Sequence, residues 1–60
     1  MSANNMITIN KKTFVVMNVD AETDMGSVVD KGKSLKEAIE IAEKEMEEEE
    51  VEYGIHFVTK

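Results

Sequence analysis

Residues 34–46, SLKEAIEIAEKEM, form the one stretch of this chain with a clear helical period, and they come late, after all but the last of the strand-like runs. Ser34 and Glu37 have the S-x-x-E spacing of a capping box, in which hydroxyl and carboxylate each satisfy a backbone N–H left open at a helix start. Leu35, Ala38, Ile39, Ala42 and Met46 follow on one stripe. Glu49 falls in the same stripe, so the buried part of the helix is expected to end near Glu47 or Glu48. A single helix of about 14 residues blankets only one face of a small sheet. Every strand must therefore share one layer beneath it, and the other face of that layer stays open.

The strands read less sharply. Residues 6–9 open the first, Asn10-Lys11-Lys12 offers a turn, and 13–19 (TFVVMNV) is the most strand-like run, rich in β-branched and aromatic residues. Alternation sends Phe14, Val16 and Asn18 one way and Val15, Met17 and Val19 the other, both sides substantially apolar as in a central strand. Residues 20–26 read as a hairpin loop and 27–30 as a returning strand. The last strand spans 51–59, with Val51, Tyr53, Ile55 and Phe57 on one face and Glu52, His56 and Val58 on the other. The expected fold class is α+β: a small antiparallel sheet of three or four strands with one helix on one face, in the order ββ(β)αβ. Residues 1–5 read as a loose tail and 6–60 as a single domain. If Phe14, Val16, Tyr53, Ile55 and Phe57 lie under Leu35, Ile39, Ala42 and Met46, the uncovered side carries Val15, Met17, Val19 and Val58. An exposed apolar patch of this kind marks an interaction surface, here an expected dimer interface.

Size supports self-association. A sixty-residue chain buries only about 60% of the surface its unfolded form exposes. With no cysteine for a disulfide and no Cys/His cluster for zinc, a homodimer is the expected reinforcement. The absence of cysteine, of a leader-like start and of any long apolar run fits a cytoplasmic protein that does not enter a membrane.

Charge is the feature that speaks to function. The net charge is −6, but residues 37–52 hold nine glutamates against Lys44, a local −8, while the remainder carries +2. Such a field disfavours direct contact with nucleic acid or anionic lipid and favours a protein with a basic surface. Glutamates 47–50 also sit where helix carbonyls leave partial negative charge, at about 0.3–1 kcal/mol each. A lightly built protein is expected to keep them only if a partner offsets them. Glu40, Glu43, Glu47, Glu48, Glu49, Glu50 and Glu52 are the candidate contacts, with Ile41, outside the buried stripe, as an apolar anchor among them. The alternative is an accessory or structural domain whose acidic helix only confers solubility.

No enzymatic activity is expected. His56 is the single histidine, and no catalytic residue, cofactor or metal ligand set stands out. GSVVDKGKS ends like a phosphate-binding loop, but five residues separate Gly26 from Gly32. DAETDMG has carboxylates at Asp20, Glu22 and Asp24, yet Met25 and Lys31 stand where a calcium loop needs glycine and glutamate.

GKSLKEAIEIAEKEM, residues 32–46, is similar to the helix after the hairpin in HicB-type antitoxin domains and other small ββαβ proteins. By size and acidity the chain also looks like small phage anti-defence proteins of the anti-Hachiman type. These resemblances imply an inhibitor or regulator that occupies a basic surface of a nucleic-acid-handling enzyme.

Overall fold

In the computed structural model, which describes residues 4–49 and 51–59, the chain opens with two hairpins built on one device. They join β1 (Asn5–Asn10), β2 (Val15–Asp20) and β3 (Gly26–Lys31). At the first turn the side-chain oxygen of Asn10 accepts from the N–H groups of Lys12 and Thr13, at 2.8 and 3.0 Å. The Asn10 carbonyl accepts from the N–H of Phe14, which takes a left-handed φ of 62°. At the second turn Asp20 does the same for Glu22 and Thr23, at 2.8 and 3.2 Å. Asp24 there stands at φ 62° with its N–H on the Asp20 carbonyl. A short polar side chain that satisfies the backbone two and three residues on folds the chain back upon itself. NKKTF and DAETD are thus one turn written twice.

Beyond β3 the chain enters α1 (Leu35–Glu49). The Ser34 hydroxyl accepts from the N–H of Glu37 at 3.2 Å. The Glu37 carboxylate accepts from the N–H of Lys33 at 2.8 Å, one residue earlier than the expected box would place it. Gly32 is buried beneath this first turn, and a Cβ there would stand 2.8 Å from the Ala38 nitrogen. Only glycine lets the exit of β3 pass so close to the helix backbone.

After α1 comes β4 (Ile55–Val58), and the sheet order is β3-β2-β1-β4. The fold is α+β in the order ββ(β)αβ, with the bracketed strand present. Both hairpin pairings are antiparallel, whereas β4 lies parallel to β1, with Ile7 beside Ile55 and Ile9 beside Phe57. The sheet is therefore mixed rather than wholly antiparallel. The reason is the helix, which carries the chain back along the sheet, so that β4 starts from the same end as β1. The shortest principal extent is 14 Å, room for one helix layer on one sheet layer.

Ile7, Ile9, Val16, Ala38 and Ala42 are completely buried and form the core. The two alanines centre the inward face of the helix, and their small side chains let it sit low. Both flanks then reach the sheet, Ile39 on one side and Ile41 on the other, each packed against the core. Ile41 is accordingly half-buried and not outside the packed face as expected. Leu35, expected in the stripe, stands at the helix end and is 37% exposed.

The last strand is shorter than expected. Gly54 takes φ 78°, and Glu52 and Tyr53 form a bend before it, so β4 keeps only four residues. The helix packs chiefly on β1, β2 and β3. Tyr53 and Phe57 therefore remain half-exposed instead of lying under it. At the other end, β1 begins at Asn5, and the Asn4 carbonyl accepts from the N–H of Ala21 at 2.6 Å. The expected tail of residues 1–5 is thus ordered from Asn4 onward, and residues 1–3 lie outside the described residues.

Candidate interaction surfaces

Two surfaces of opposite character lie on opposite sides of the molecule. The first is the outer side of α1. Glu40, Glu43 and Glu47 are exposed and recur at i, i+3 and i+7, which stacks them in one column. Glu43 and Glu47 are a like-charged i, i+4 pair. No basic residue stands in the last turn, so nothing there compensates the helix dipole.

Of the other candidate contacts, those among the described residues do not join this column. Glu48 lies on the flank facing β3, where it lines a shallow depression of about 250 Å³ with Val29, Asp30, Ile41, Lys44 and Glu45. Glu49 falls on the inward arc of the helix by its spacing from Ala38 and Ala42 but is exposed. Glu52 is exposed in the bend after the helix, and Glu50 lies outside the described residues. Ile41 is half-buried against the core and also lines that depression among Asp30, Lys44, Glu45 and Glu48.

One glutamate behaves differently. Glu45 is half-buried, and its carboxylate accepts from the side-chain amide of Asn18 at 3.4 Å, while the Asn18 oxygen accepts from the Asn5 amide at 2.5 Å. This chain joins α1, β2 and β1 where the apolar core runs out. The signal was present in the sequence: Glu45 stands three and seven positions after Ala42 and Ala38, on the inward arc, and Asn18 interrupts an apolar alternation. Beyond it, Asn5, Asn18, Asp20, Met25, Gly26 and Ser27 line an open polar depression of about 350 Å³.

The second surface is the sheet face away from the helix. Cross-strand partners share a face, so the register places Met6 and Thr8 of β1 with Val19 and Met17 of β2, and Val15 with Lys31 of β3. A bulge between Val16 and Met17 leaves Val29 as the extra residue of β3. Val29 turns to the core, and Val28, opposite Met17, faces outward at 63% exposure. His56 and Val58 of β4 complete the face beside Thr8 and Asn10. Val15, Met17, Val19 and Val58 thus lie together, joined by Met6 and Val28, which the sequence reading did not include.

Chemistry-bearing groups are engaged locally. The Asp20 carboxylate serves its own turn, and no group of three metal-ligating side chains occurs among the described residues. The His56 ring donates through Nε2 to the Tyr53 carbonyl at 3.0 Å. No helix among the described residues is long and apolar enough to cross a membrane. No protein-family model, curated protein or solved structure matches this chain.

Proposed function

We propose that this protein is a non-enzymatic acidic interaction module that inhibits or regulates a nucleic-acid-handling protein by occupying its basic surface. One observation carries the reading: the outward column of Glu40, Glu43 and Glu47 runs into a last helical turn that has no basic residue. The like-charged Glu43–Glu47 pair and the uncompensated last turn cost stability in the free protein, a cost offset when lysines or arginines of a partner approach. A rigid helix also holds the carboxylates in a fixed row, as a strand of phosphates would be held. The similarity of residues 32–46 to HicB-type antitoxin helices points to the same class of role, antitoxin-like or phage anti-defence.

The test uses immobilised protein and a host lysate, with soluble heparin as a competitor that mimics nucleic acid. The wild-type chain is expected to retain a basic protein that heparin elutes, and the Glu40→Gln/Glu43→Gln/Glu47→Gln variant to retain none. Equal retention by that variant, or no retained protein together with loss of solubility in the variant, would favour an accessory domain whose charge only keeps it dissolved.

A further inference from the structure

We propose that the open sheet face binds a second copy of this chain, face to face about a two-fold axis, as a helix–sheet–sheet–helix dimer. The face presents Met6, Val15, Met17, Val19, Val28 and Val58 together, with Val28 63% exposed and Val58 39%. None of the strand positions on this face is a carboxylate, although the chain has thirteen. A basic partner, the kind the helix would attract, finds no complement here. A second copy of the same apolar patch does, with Lys31 at the edge strand β3 where it can stay at the rim, and a two-fold contact needs only a patch that matches itself.

Area agrees with that occupant. Four strands about 4.8 Å apart and about five residues deep give a face of roughly 300 Å² in projection. Two such faces, with the roughness of real side chains, bury about 1,000 Å² in total, at the lower limit for a specific interface. Charge agrees as well. With the sheets about 10 Å apart and each helix a further layer outside, the acidic helices stand about 30 Å from one another, several screening lengths in physiological salt.

Pairing through strand edges fits less well. The β3 edge is blunted by the bulge at Val29 and by Asp30 and Lys31. Pairing through β4 would leave the apolar face wet and double its extent.

Sedimentation equilibrium of the full chain, from about 5 to about 500 µM, spans the affinity that a small interface supports. The wild-type protein is expected to pass from 6.8 kDa to twice that mass across this range. Val28→Glu, at an exposed position where the folded monomer tolerates charge, is expected to weaken association at least tenfold with the circular dichroism spectrum unchanged. Met17→Glu should do the same at the centre of the face, and if it fails to fold, Val28→Glu decides alone. A monomer at every concentration overturns the proposal, and so does a dimer indifferent to Val28→Glu. The glutamate variants of the helix leave this readout unchanged, so the dimer and the basic partner stand or fall separately.

Discussion

Individual residues show where this small fold has no slack. Gly32 is held by its N–H, which donates to the Phe14 carbonyl at 2.9 Å, while its Cα faces the backbone of Ser34 and Ala38. Flexible side chains do not surround it, so an added methyl group has nowhere to go. Gly32→Ala is expected to lower the unfolding free energy by about 1–3 kcal/mol in urea titration, a large fraction of what sixty residues supply. An unchanged midpoint would mean that the helix start shifts freely. Glu45 makes the converse point: a residue counted among the charges by composition is a helix-to-sheet tether by position. Its role follows from an arc centred on Ala38 and Ala42, whereas a stripe drawn through Leu35 hides it.

Elements were legible to different degrees, for physical reasons. The helix announced itself because its period, its cap and its alanines agree, and the hairpin turns because Asn10 and Asp20 are residues that bend the chain locally. The two turns separate the demands on a left-handed residue. Asp24 is exposed, so Asp24→Gly should relieve strain and raise stability by about 0.5 kcal/mol. Phe14 has the same φ but packs against the core, so Phe14→Gly should lower stability by about 2 kcal/mol despite the better backbone. Urea midpoints moving in the same direction would refute this division. The final strand was less legible, since its place beside β1 is a long-range choice that no local pattern encodes. Its start is set by Gly54, and its half-exposed Phe57 by how far the helix reaches across the sheet. The bulge likewise assigns Val28 and Val29 to opposite faces, which alternation in a two-valine run leaves undecided.

At the scale of the whole molecule, the chain separates its two kinds of surface: a column of carboxylates on the helix side, and a largely apolar face without carboxylates behind. The candidate glutamates were legible as a charged run, yet only the fold sorts them, leaving Glu40, Glu43 and Glu47 as a column and Glu48 on the β3 flank. The open face was legible because one helix cannot cover two sides of a sheet, and Met6 joined it only once β1 was paired with β2. What binds these features is a charge distribution that the free protein tolerates at a cost. Urea unfolding at a single protein concentration, in low and in high salt, measures that cost most directly. Relative to wild type, Glu47→Gln/Glu48→Gln/Glu49→Gln is expected to be more stable by about 1–2 kcal/mol in low salt, with the gap closing as salt screens the helix end. A variant no more stable than wild type, with an identical response to salt, would contradict a charge kept for binding at the expense of stability.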